Sequence, residues 1–115
     1  MSDCIFCKIV QGEIPSKIHY EDDNVMAFED INSQSPIHLL IIPKKHIPSM
    51  VDVTEEDRKE IIPEIFKAIQ KLSEELNFNN EGYRIVNNCG DHGGQTVKHL
   101  HFHLLAGRQM TWPPG

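Results

Sequence analysis

"HLHFHLL", residues 99–105, sets three histidines at alternate positions among bulky apolar residues. A period of two is a strand pattern, because successive side chains leave a strand on opposite faces. This reading puts His99, His101 and His103 on one face and Leu100, Phe102 and Leu104 on the other. Consecutive histidines would then stand roughly 6.5–7 Å apart along the strand. Solvated strand faces are ordinarily built from Lys, Glu and Thr, so three of the chain's seven histidines in one row ask for a chemical reason. Neighbours on one strand do not readily converge on a single ion, although one or two of them could serve a metal. Neutral imidazole is a good nucleophile near pH 7, and while one ring nitrogen attacks, the other can hold an orienting hydrogen bond. A neighbouring histidine can hydrogen-bond a phosphoryl oxygen or protonate a leaving group.

The flanking chain suits that chemistry. "GGQT" at 93–96 offers the backbone N–H groups of Gly93 and Gly94 and the Thr96 hydroxyl to an anion arriving at the strand. Further out, "KIHYEDDNVMAFED" reads as a strand, a turn at 22–24, and a strand over 25–28, and "PIHLLIIP" reads as a buried strand. Thr54 before three acids marks a helix start, and Ile61, Ile65, Ile69, Leu72 and Leu76 form its apolar face. Pro63 inside that pattern predicts a kink or a restart. "YRIVNN" reads as one more strand. One main helix packed on an antiparallel sheet makes an α+β domain, expected to be single over 1–115.

The chain has 115 residues, 39% hydrophobic and 24% charged, with a formal net charge of −6. That charge argues against a nucleic-acid binder that neutralises many phosphates, but not against a site for one nucleotide. The longest apolar run, "IHLLIIP", is too short to span a bilayer. "MSDCIFCKIV" lacks the pattern of a signal peptide, and three cysteines make no disulfide framework, so a cytoplasmic location is expected.

"HLHFHLL" resembles the His-φ-His-φ-His-φ-φ signature of the histidine-triad (HIT) superfamily, φ being apolar. "CIFCKIVQGEIPSKIHYEDD", "AFEDINSQSPIHLLIIPKKHI" and "GGQTVKHLHFHLLAGRQMTWPPG" are similar to its histidine-triad nucleotide-binding branch, the purine nucleoside phosphoramidases. The resemblance implies a nucleotidyl-histidine intermediate on His101, with His103 contacting the phosphate and assisting leaving-group departure. It makes His99 and His38 supports that orient the nucleophile. It assigns the ribose hydroxyls to Asp30, the walls of the base pocket to Ile5, Phe6, Ile9, Phe28 and Ile31, and the phosphate side to Asn88, Gly94 and Thr96. It implies a two-fold homodimer with the helix and a nearby strand at the interface, and a purine nucleotide substrate carrying an AMP moiety. No nucleic-acid or membrane partner is expected. Superfamily transferases resemble His-x-His followed by glutamine, so His103 points to the hydrolase type. The nearest rival is a dinucleoside polyphosphate hydrolase, and "RQMTWPPG" is similar to the phosphoramidase branch instead.

Cys4 and Cys7 make a C-x-x-C pair, which is a zinc half-site or a redox motif. The redox setting, a motif opening a helix after a strand, is not visible in the sequence. His46 and His99 are available as two further ligands, and some superfamily members are similar in binding structural zinc with such a set. A closed Cys₂His₂ site would leave no position for water, making its role stability and support of His99. A zinc-dependent nucleotide-binding scaffold is therefore the alternative from a different class. Cys89 reads as a packing cysteine, His19 and His92 as surface residues, and Lys44 and Lys45 as a solvated turn.

Overall fold

A computed structural model describes residues 3–115, so the first two positions of the expected 1–115 domain lie outside it. Five strands form one antiparallel sheet: β1 (Ile18–Glu21), β2 (Val25–Glu29), β3 (Ile37–Pro43), β4 (Arg84–Val86) and β5 (Phe102–Ala106). Their spatial order is β1-β2-β3-β5-β4. The fold is α+β, with one long helix on the sheet.

Local chemistry explains each boundary. Asp22 Oδ1 accepts the N–H groups of Asn24 and Val25 at 2.8 and 2.9 Å, which turns β1 back into β2. Thr54 caps helix α2 (Glu55–Glu60) reciprocally with Asp57, each backbone N–H donating to the other's side-chain oxygen at 3.0 and 3.1 Å. The chain then restarts as α3 (Ile62–Glu75), with Pro63 in its first turn where no N–H is needed. Lys45 reaches the buried Asp57 at 2.7 Å and Lys44 pairs with Glu21 at 2.7 Å, so the expected solvated turn is tied down at both lysines. His19 is likewise engaged, 2.8 Å from Glu29.

A helix the sequence reading lacked, α1 (Ile5–Val10), opens the described chain, with Cys4 as its N-cap. Strand parity divides the core between the two helices. Val25, Ala27, Leu39, Ile41, Phe102 and Leu104 pack with Ile65, Ile69 and Leu72 of α3. Met26, Phe28, Leu40 and Ile42, the alternate positions, pack with Phe6 and Ile9 of α1. The sheet is thus covered on both faces, and His38 and His103, by the same parity, fall on the α1 side.

One expectation is corrected here. Leu100, Phe102 and Leu104 do share the helix face, but the strand begins only at Phe102. Residues 97–101 run irregularly, and Leu100 N–H donates to Ile47 O at 2.6 Å instead of to a neighbouring strand. The even row of three histidines predicted from alternation is therefore broken between His99 and His101, and only His101 and His103 share a cleft.

Candidate active site

A cleft of about 390 Å³ opens between α1, the end of β2 and the start of β5, within the usual size range for small-ligand sites. Ile5, Phe6, Ile9, Phe28 and Ile31 line it, joined by Ile14, Pro15, Leu40 and Val97, which sequence reading did not single out. Asp30, Thr96, His101 and His103 bring polar groups, as do Ser16, Glu29 and Asn32. Ile31 is 96% exposed, so it flanks the mouth of the cleft. Asn88 and Gly94 are not among the lining residues, and the Gly94 N–H is already donated to Asp91 O at 3.1 Å. Gly93 serves packing, since a Cβ there would run into the backbone of Cys89. Gln95 holds this loop together, accepting from Gly90 N–H and donating to Pro48 O and Val97 O.

Hydrogen-bond partners assign the ring tautomers. His101 Nδ1 lies 2.7 Å from the His99 carbonyl, so Nδ1 carries the proton and Nε2 keeps a free lone pair. Gln34 N–H donates to His38 Nδ1 at 3.0 Å, which leaves the His38 proton on Nε2. That N–H donates to His103 Nδ1 at 2.9 Å and lies 3.3 Å from Asp30 Oδ2. His103 therefore carries its own proton on Nε2, away from His38. The His101 and His103 rings stand 5.2 Å apart, and Phe6 packs edge-on against His101 at 5.2 Å. Asn87, next to the expected Asn88, donates its side-chain amide to His101 O at 2.9 Å. His99 supports His101 through its backbone carbonyl, not its ring; His38 touches His103 instead of the expected nucleophile.

Burial favours the neutral form of the His38 and His103 rings. It lowers His103 to about 4, aided by the neighbouring His101 and His38 and opposed by Asp30. It also lowers His38, again against Asp30. An unfolded chain binds these protons near pH 6.5 while the folded chain refuses them, so their stabilisation is complete above that pH and drains away as pH falls toward 4. Urea midpoints should accordingly drop between pH 7 and 5 by an amount worth about 1–2 kcal/mol after allowing for water at His103. His103→Gln should flatten the curve, and an unchanged slope in that variant would contradict the assignment.

The His99 ring turns away from the cleft. It is fully buried, and its Nε2–H donates to Pro43 O at 2.8 Å, leaving Nδ1 to face two thiols. Nδ1 stands 3.3 Å from Cys4 Sγ and 3.6 Å from Cys7 Sγ, while His46 Nδ1 is 3.3 Å from Cys7 Sγ. Tetrahedral zinc spaces sulfur and nitrogen ligand atoms by about 3.6 Å, so the four side chains fit such an ion. The carbonyl behind His99 supplies the outer partner that metal-binding histidines ordinarily have. Asp30, His38 and His103 also bring their ligand atoms within 4.8 Å of one another. There the polarity is wrong, because Gln34 N–H on His38 Nδ1 forces a proton onto the nitrogen that would have to bind the metal. That cluster is a hydrogen-bonded relay.

Known proteins resemble the chain in sequence and in fold. The HIT domain family model matches residues 11–110. The chain is 46% identical over 115 residues to a 14 kDa zinc-binding protein of Zea mays, covering 99% of this chain and 89% of that one. A HIT family hydrolase from Legionella pneumophila superposes with a TM-score of 0.94 at 51% identity, covering 98% and 100% of the two chains. A histidine triad protein from Clostridium difficile gives 0.93 at 49% identity, with 96% of each chain covered. With the family model matching most of its length and the fold and sequence matching those of these relatives, the chain belongs to the HIT domain family.

Proposed function

We propose that the protein hydrolyses purine nucleoside 5′-phosphoramidates through a nucleotidyl-histidine formed at His101. The polarity of the histidine cluster carries this reading. Of the two imidazoles lining the cleft, His101 offers an unprotonated Nε2 and His103 offers an N–H. The His101 lone pair forms a bond to phosphorus as the P–N bond breaks, and the leaving nitrogen departs as an amine with a proton from solvent. His103 Nε2–H donates to the phosphoryl oxygen, where negative charge is concentrated. Water then attacks phosphorus, the N–P bond to His101 breaks, AMP leaves and one proton returns to solvent.

Substrate placement follows the lining of the cleft. The apolar walls of Ile5, Phe6, Ile9, Phe28 and Ile31 suit a purine without strong polar readout, and Asp30 suits the ribose hydroxyls. Thr96, which also lines the cleft, suits the phosphate side. Gly94 and Asn88 act there only if their loop adjusts, with the Gly94 N–H leaving Asp91 O. A dinucleoside polyphosphate would use the same nucleophile, so P–N preference is the finer part of the proposal. Cys4, Cys7, His46 and His99 would hold zinc, which supplies a structural cross-link between α1, the His46 loop and the nucleophile's segment. A homodimer is part of the reading, supported by exposed Phe66 on α3 and by Tyr83 and Ile85 at the β4 edge. No helix among the described residues is long and apolar enough to cross a membrane.

Intact-mass spectrometry after a brief acid quench with an adenosine phosphoramidate tests the central step. A transient adduct of one AMP on the protein is expected. Absence of both adduct and released AMP would remove the hydrolase reading and leave the zinc-containing nucleotide-binding scaffold.

A further inference from the structure

We propose that the Gly107–Arg108 corner after β5 is a positioning device that sets which nitrogen of His103 carries its proton. The inference rests on the phosphoramidase reading for its kinetic consequence, and on hydrogen-bond geometry alone for the tautomer.

The relay starts outside the cleft. Gln34 N–H is its first donor, and reversing or removing that bond lets His38 place its proton on either nitrogen. If the His38 proton moves to Nδ1, His103 Nδ1 loses its donor, and His103 is free to turn its own proton away from the cleft. The orientation of one peptide unit in the 30–36 turn therefore decides what His103 presents to a phosphoryl group.

Two contacts from the corner hold the turn just beyond that peptide, the first on the adjoining Gln34–Ser35 unit and the second on Pro36. Arg108 Nε donates to Gln34 O at 3.0 Å. Gly107 sits at φ 95°, and a Cβ added there would stand 2.9 Å from Pro36 Cβ. The backbone of the corner thus packs on Pro36 more closely than any other residue would allow, and a positive φ disfavours other residues independently. The corner follows directly from the strand that bears His103, so one rigid segment presents the ring and braces its partner's tautomer.

The test combines ring nitrogen spectra with kinetics on the full chain. In ¹⁵N-histidine protein, Nδ1 of His38 and His103 should resonate as unprotonated and Nε2 as protonated. Gly107→Ala should mix the His103 tautomers and lower kcat roughly 10- to 100-fold, with AMP affinity within about twofold. Arg108→Ala should lower kcat about 2- to 10-fold, and Arg108→Lys, which can still donate to the carbonyl, should restore most of it. Folded variants that keep the wild-type tautomers, whatever their melting temperature, would overturn the proposal. So would a wild-type His103 protonated at Nδ1. If the nitrogens behave as expected and no phosphoramidate is cleaved, the functional reading fails while the positioning claim stands.

Discussion

His101→Gly is expected to lower kcat for an adenosine phosphoramidate by roughly 10³–10⁶-fold, the scale seen when a covalent nucleophile is removed. AMP should still bind with an affinity within about threefold, because the walls of the cleft and Asp30 lie elsewhere. The size of the effect comes from counting nitrogens. His103 holds its proton on the free nitrogen, both nitrogens of His38 are engaged, and the His99 ring is enclosed beside the thiols. No second histidine can therefore take over the attack. Glycine also leaves an imidazole-sized space beside Phe6, so millimolar imidazole should restore part of the turnover. Steady-state kinetics and calorimetry with AMP read both halves; substantial turnover by the variant would remove covalent catalysis at this position.

Stripping metal with a strong chelator should lower the melting temperature by about 10–20 °C, as expected when a tightly bound ion worth several kcal/mol leaves a domain of this size. One equivalent of zinc should restore it, and Cys7→Ser should abolish the zinc-dependent part. Without an ion, Cys7 is held in its thiol form by burial and by the neighbouring Cys4, which raise its pKa. The domain should remain folded, because the α3 side of the sheet has its own core. Elemental analysis finding no metal, together with a melting temperature indifferent to chelator, would reduce the cluster to thiol–imidazole hydrogen bonds.

The strands and the long helix were legible because apolar spacing reports which face is buried, and Thr54 and Pro63 carry their own capping chemistry. Helix α1 was not. Its six residues are too few for a readable period, and its N-cap is a cysteine instead of the usual Ser, Thr, Asp or Asn. Alternation placed Leu100 correctly but overextended β5, because the segment before Phe102 is held by Ile47 O, Pro43 O and the thiols, all distant in sequence. The same long-range contacts separate the His99 ring from the other two histidines. Asn87 escaped notice beside Asn88, since nothing local tells which of two adjacent amides turns toward the His101 carbonyl. Tautomers need partner atoms, and the partners of His38 and His103 come from a turn and a strand that only the fold brings together.

The central strand pair has a kinetic consequence. β3 and β5 are neighbours in the sheet, yet the contact between His38 and His103 joins positions 65 residues apart. Closing so long a loop costs chain entropy before any contact repays it, and such pairings slow the search for the native state. The β1–β2 hairpin and α3 can form from local contacts, whereas the relay exists only once β5 has docked. Appearance of turnover during refolding should therefore lag behind the recovery of helical signal, making enzymatic activity a reporter of the last long-range closure.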